Sequence, residues 1–537
     1  MQRPGDMRTS RAGRVAGGCF LLFTLGAVSG AVAQDVTGAP PLGIAAQTGL
    51  PPGALFDTGN FAPFTGAAAG PNGILGPQVT GTPIIDTREF SVIPMAALQE
   101  TVTDNVFLTP NNKKFDFITR PMVGAVMNYR GGPATAAMVG HVYYDFYASQ
   151  NSQSGWGGDA FTTSSYELIP SFLSVVADGA VTNGNLTNFG TPTFDRVGPA
   201  NRLQIGMYDV GPHLTTVVDD FADLDVNGRF AQVSFLNARN LPVGAPTDAT
   251  ILNGTASLDT GERFVGYESL SQASVDRDDR GFLGYNGQES LFVRVLPQVR
   301  IIGRGGYDNV YQPNIIDLSA PMWSGGVEVT INQQSRITVE RGERFDHVSW
   351  AGNLQLQLSN GLVAFGSYTE GLESQLIGLN NSFLNFASPS ISIPTELTQG
   401  SFSFNGNLDS QTALSKVATF NLVYQWETQR VSLGSSWYDR LFIVTNRRDR
   451  SVAGDVSYLR SIAPDLAMLV GVDYWRTLEN PFYGASDSYR GVVSLQYVVN
   501  PSMQLVGGYA HQQQEQLTAG GQTITENIIF AAIGRTF

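Results

Sequence analysis

One cysteine, four histidines and a sparse supply of charge in 537 residues remove most chemistries before any pattern is sought. Cys19 lies inside the apolar stretch Cys19 to Val28 near the N-terminus, so the mature chain has no disulfide, thiol nucleophile or thiolate metal site. A lipid-bearing cysteine would follow such a stretch instead of sitting within it. His141, His213, His347 and His511 are too far apart for metal-ligand spacing. No G-x-S-x-G elbow, phosphate-binding loop or dinucleotide fingerprint occurs, so no covalent chemistry and no cofactor are expected. Charged residues make up 15% of the chain, against roughly 25% in an average soluble protein. Yet beyond the leader no charge-free apolar run reaches the length of about 18 residues that a membrane helix needs, which excludes a helical bundle. Basic residues are the scarcer sign, giving a formal charge of −14, and nucleic acid is therefore excluded as a partner.

What is present has a clear order. Residues 1–33 read as a secretory signal: Arg3, Arg8, Arg11 and Arg14, an apolar core, then Ala31-Val32-Ala33 before Gln34. Its removal leaves 28 basic and 45 acidic residues, a formal charge of about −17, which suits a surface among anionic lipids and their divalent cations. Residues 34–87 are rich in Gly, Pro and Ala and nearly uncharged, the composition of a flexible periplasmic segment without a core. This segment is far shorter than the folded plug of energy-driven nutrient receptors, which argues against that class.

From Arg88 onward the pattern alternates with a period of two. Trp350, Gly352, Leu354, Leu356 and Leu358 interleave with Ala351, Asn353, Gln355, Gln357 and Ser359. Ala418, Phe420, Leu422, Tyr424 and Trp426 alternate in the same way with Thr419, Asn421, Val423, Gln425 and Glu427. One face is apolar and the other carries amides and charges, over runs of about ten residues, long enough for a tilted strand to cross a bilayer. Short turns stand at Gly131-Gly132, Pro170-Ser171, Asp219 to Asp225, Thr260-Gly261, Pro297-Gln298, Gln333-Gln334, Asn360-Gly361, Thr428-Gln429, Pro464-Asp465 and Pro501-Ser502. Longer polar connections alternate with them, among them Asn105 to Lys114, Arg277 to Tyr285, Val310 to Leu318 and Glu373 to Ser415. Ten short turns with two terminal strands predict an all-β fold, a single transmembrane antiparallel β-barrel of about 22 strands (range 18–24) over residues 88–537. Trp350 and Trp437 fall toward the long-loop side and Trp426 toward a short turn, as interfacial girdles require.

The last stretch, Thr525 to Phe537, alternates and stops on an aromatic residue. It resembles the closing strand of bacterial outer-membrane barrels, although Arg535 stands where another aromatic is usual. That resemblance implies that Phe537 is part of the signal read by the barrel assembly machinery. Thr103-Asp104-Asn105-Val106, Asp116-Phe117-Ile118-Thr119 and Gly342-Glu343-Arg344-Phe345 resemble phrases of the outer-membrane β-barrel porins associated with exopolysaccharide or exosortase (PEP-CTERM) loci. The resemblance runs from Phe90 to Phe537. It implies an outer-membrane barrel, with an exit channel for a secreted polymer as the function, and brings no catalytic residues.

Charges on the polar parity are the strongest local clue. Arg294, Arg300 and Arg304 share one face of neighbouring strands, and Arg336, Thr338, Glu340 and Arg344 share another. Such walls orient charged or sugar solutes in a pore, and structural ion pairs in a crowded interior explain the same residues. The connection after Glu373 is uncharged from Ser374 to Thr395. Leu376, Asn380, Phe383 and Phe386 are its candidates for a constriction of the lumen, a surface cap being the alternative. Asp276, Asp278 and Asp279 offer a Ca²⁺-binding or solvated loop. His141 and Asp145, two steps apart on one strand face, allow a hydrolytic site or a plain lumen histidine.

The sequence thus predicts an outer-membrane channel with both termini periplasmic, passing hydrophilic solutes or a secreted polysaccharide. Its surroundings would be outer-membrane lipid and lipopolysaccharide, with a polysaccharide export complex as a further partner. The alternative is a structural or adhesive barrel with an occluded lumen.

Overall fold

The computed structural model describes residues 89–185, 202–219, 221–235, 248–260, 268–278, 283–312, 316–332, 335–344, 347–373, 413–426, 428–442, 446–479, 484–500, 502–517 and 521–537. Twenty-two strands follow in chain order. They begin with β1 (Phe90–Thr103), β2 (Asp116–Gly131), β3 (Ala134–Tyr147), β4 (Gly155–Ile169), β5 (Leu173–Asn185), β6 (Arg202–Val218), β7 (Ala222–Phe235), β8 (Ala249–Asp259), β9 (Glu268–Asp278), β10 (Leu283–Leu296) and β11 (Val299–Gln312). The second half is β12 (Ile316–Asn332), β13 (Ser335–Arg344), β14 (His347–Ser359), β15 (Leu362–Glu373), β16 (Ala413–Gln425), β17 (Gln429–Phe442), β18 (Arg447–Ala463), β19 (Leu466–Glu479), β20 (Ser486–Asn500), β21 (Met503–Gln516) and β22 (Thr523–Thr536).

Every strand pairs antiparallel with its sequence neighbours, and β1 pairs with β22, so the sheet closes on itself. Closure removes the unpaired edge that lipid would not tolerate. All ten short turns mark junctions between consecutive paired strands, although the acidic one is tighter than Asp219 to Asp225, since β7 begins at Ala222. Six of the hairpins carry an extra residue on the entering strand just before the turn, for instance between Arg294 and Leu296 and between Thr330 and Asn332. Such bulges add twist where the chain must reverse.

On the other rim the strands run further than the polar composition suggests. Arg277 pairs with Leu283, and Gln312 with Ile316, inside stretches that read as loops. Above the apolar band both faces meet water, so side-chain alternation fades while the backbone ladder continues.

The two parities differ as the alternation requires. Ile529 is 60% exposed while its neighbour Ile528 is 1% exposed. The exposed parity also carries Val123, Ile301, Val339, Val472 and, toward the rims, Trp350, Trp323, Tyr489 and Trp426. The opposite parity carries buried Glu328, Glu340, Asp145, Asp455 and Glu526. A band of bare aliphatic side chains flanked by aromatics is what lipid contact selects, so the charged parity faces the barrel interior.

The ring is sealed by residues of the T-D-N phrase. Met95 to Thr103 pair with Ile528 to Thr536, and side chains continue the seam beyond the ladder. Asp104 accepts from the Asn527 backbone N–H at 2.8 Å and from Asn527 Nδ2 at 2.6 Å. Asn105 Nδ2 donates to the Thr525 carbonyl at 2.8 Å, and Thr103 Oγ1 donates to Glu526. At the other end Phe537 N–H donates to the Pro94 carbonyl at 2.9 Å, and the Arg535 guanidinium lies over the outward Phe537 ring, 5.1 Å from its centre.

Candidate functional site

The interior wall formed by β10 to β13 is built by strand periodicity alone. Residues four apart on a strand share a face, so β11 presents Arg300, Arg304 and Asp308 inward, and β13 presents Arg336, Glu340 and Arg344. Arg294 of β10 lies directly opposite Arg300. All six charges singled out from the sequence therefore stand on one contiguous interior surface.

They do not behave alike. At mid-strand Arg304 grips Glu340 with both ends of its fork, Nε to Oε2 at 2.6 Å and Nη2 to Oε1 at 2.9 Å. Its Nη1 donates to Ser290 Oγ at 2.8 Å, and Ser324 Oγ donates to Glu340 at 3.1 Å. The pair spans β12, where Gly326 sits opposite Glu340. A Cβ at Gly326 would collide with the Glu340 side chain and the Val339 carbonyl, so the glycine is what lets β12 and β13 approach closely beneath the fork. Nearer the long-loop rim, Arg344 makes the same fork with Asp308, at 2.6 and 3.0 Å, across Ala320. Both are bidentate, charge-assisted contacts that consume the charges they join.

The rim with the short turns is different. Arg300 contacts Glu268 of β9 and, at 3.5 Å, Glu328 of β12; Arg336 reaches the same Glu328 at 3.7 Å. Glu328 is 2% exposed and also accepts from Thr338 Oγ1 at 3.5 Å. Arg294, Arg300, Arg336 and Glu328 line a cavity of about 300 Å³ beside the turn Pro297-Gln298. Below it Phe292 lies under the Arg300 and Arg304 guanidiniums, 5.1 and 5.5 Å from ring centre to charge.

The acidic partners Glu268, Asp308 and Glu328 were not singled out from the sequence. Each sits on the polar parity of a strand next to, or one removed from, an arginine strand, so the signal was present but only a known pairing order could read it.

Elsewhere the interior is equally charged. Arg120 forks onto Asp145 at 2.6 and 2.9 Å and lies over the Tyr143 ring at 3.9 Å. This gives Asp145 to Arg120, while the His141 ring stacks on Tyr143, so the residue pair considered for hydrolysis belongs to a cation-aromatic stack. Arg229 bridges Asp178 and Asp209 at 3.0 and 2.6 Å, and Arg490 holds Asp473 at 2.5 Å. Among the described residues no group of three or more His, Cys, Asp or Glu side chains is placed to hold a metal ion. Leu376, Asn380, Phe383 and Phe386, like the leader and residues 34–87, lie outside the described residues. So do the side chains of Asp276, Asp278 and Asp279.

Closed all round, apolar outside and charged within, the chain is a transmembrane antiparallel β-barrel. No family model and no curated protein matches it. Among solved structures it is similar to the siderophore receptor PirA from Acinetobacter baumannii, at 7% identity over 83% of this chain and 80% of that one, with a TM-score of 0.48. OprD from Pseudomonas aeruginosa matches at 6% identity over 83% and 96% of the two chains, TM-score 0.35. OpdK from the same organism, solved with vanillate, matches at 10% identity over 83% and 99%, TM-score 0.32.

Proposed function

We propose that the protein is an outer-membrane channel that passes hydrophilic solutes through its interior, with the short-turn rim and both termini in the periplasm. A secreted polysaccharide is the cargo we assign to it, on the resemblance carried by the T-D-N and G-E-R-F phrases. The observation that carries the channel reading is the division of the two parities, with ionisable side chains placed throughout the inner one. Barrels of 16 to 18 strands leave an aqueous passage, and those of about 22 enclose a lumen wide enough to need a plug when they are gated. Wide, charged and strand-built, this interior has the character of a wet conduit.

A second reading has its own support. The forks Arg304–Glu340, Arg344–Asp308 and Arg120–Asp145 satisfy charges internally, as an occluded structural or adhesive barrel would. Single-channel recording separates the two. The full-length protein in a planar bilayer should give discrete conductance steps in KCl, and a silent bilayer at confirmed insertion would favour the occluded barrel.

A further inference from the structure

On the interior wall of β16 to β20 one carboxylate stands apart from the matched pairs. Asn421, Gly434, Asp455, Asp473 and Arg490 are successive partners in one row across these strands. At one end of the row the charges are joined, with Arg490 Nε donating to Asp473 Oδ2 at 2.5 Å. Asp455, midway along β18, is different. It is 3% exposed, and neither of its oxygens receives a hydrogen bond among the described residues. It also lies directly opposite Asp473, and like charges opposed in this way destabilise a sheet. The other bases of this wall stand elsewhere: Arg440 is directly opposite Asp449, and Arg430 lies four residues from Gly434, about 13 Å at strand rise. A carboxylate held away from water with no donor is strongly unfavourable unless something else compensates it.

The surroundings of Asp455 specify the compensating group. Gly434 separates it from Asn421, and the missing side chain leaves a cradle. A Cβ built on Gly434 would collide with Asp455 Oδ1 and come within 3.0 Å of Asn421 Oδ1. Oxygens of two residues thus converge on one gap, and both are acceptors. Converging acceptors with no donor between them suit a hard cation, which takes carboxylate and carbonyl oxygens and completes its shell with water. Charge sets the valence. Asp455 and Asp473 against Arg490 leave one negative charge, which a monovalent ion cancels and a divalent ion overshoots. We infer that Asp455 and Asn421 hold a hard monovalent cation, sodium or potassium, over Gly434 on the interior wall. Bound there, the ion lets two aspartates occupy opposed positions beside a single arginine. The site does not depend on the channel reading, and a silent bilayer would sink that reading while leaving the cation site to its own test.

The test uses sodium chloride as probe and the mature protein folded into vesicles of zwitterionic lipid. Urea midpoints are measured in sodium chloride and in choline chloride of equal concentration, where screening is the same. The wild type should unfold at a higher midpoint in sodium, and the difference should grow with sodium concentration as mass action requires. D455N, which keeps the shape and removes the charge, should give the same midpoint in both salts. In choline it should equal or exceed the wild type, whose carboxylate there has no counter-ion. G434A fills the cradle and should lose the sodium effect although Asp455 is intact; it carries the comparison if D455N does not fold. Equal wild-type midpoints in the two salts would mean that a proton or a turned Asn421 amide neutralises Asp455, and the site falls. A sodium effect of undiminished size in D455N or G434A overturns it as well. A larger rise in calcium chloride at matched ionic strength overturns the monovalent assignment.

Discussion

At the scale of single residues the interior is a set of matched forks, and their value can be measured by breaking one. Arg304 and Glu340 are 10% and 9% exposed, so removing one partner strands the other in a poorly hydrated place. Glu340→Ala should cost about 3 kcal/mol, read as a lower urea midpoint of the barrel folded into lipid vesicles. The double variant R304L/E340L should lose distinctly less, because no charge is left unpaired; equal losses would show that the fork is not what matters. The sequence made Arg304 and Glu340 visible as inward charges but could not say that they meet, because they lie two strands apart over a glycine. Asp116 shows the same limit. It stands out as the start of the D-F-I-T phrase, yet its task, accepting the backbone N–H groups of Phe117, Ser149 and Gln150 at 2.8, 2.9 and 2.9 Å, depends on a loop more than thirty residues on.

At the scale of elements the hairpin rhythm was legible because lipid on one side and water on the other force a period of two, and because reversals need Gly, Pro or Asn at fixed places. Gly361 has φ +103 in its turn, a conformation that glycine adopts freely. Strand ends on the long-loop rim were not legible, since a strand that has left the bilayer no longer needs an apolar face. The closing strand was legible as a strand, and its Arg535 finds a local role over the Phe537 ring. Phe537 also donates the last backbone bond of the seam, to Pro94. Deleting Phe537 should therefore lower the amount of assembled barrel recovered from outer membranes, with unfolded chain accumulating in the periplasm. Undiminished assembly would remove the terminal aromatic from the signal.

At the scale of the whole molecule the decisive property is that the ladder returns to its start. β1 and β22 are joined across nine residue pairs, against fourteen between β11 and β12, and the T-D-N residues make up the difference with side-chain bonds. The seam is thus a hairpin that lacks only its turn, and the ring has no physical first strand. A linker of about eight residues could bridge Phe537 to Glu89, since the gap left by the overhang of β1 is about 17 Å at strand spacing. A permutant closed in this way, with new ends cut between Asn360 and Gly361, should fold into lipid vesicles with the urea midpoint of the parent. In cells, with residues 1–33 placed ahead of Gly361 to direct secretion, it should fail to reach the outer membrane, because Phe537 is then internal and cannot act as a terminal signal. Where the polypeptide is cut would then govern its address while leaving its architecture untouched.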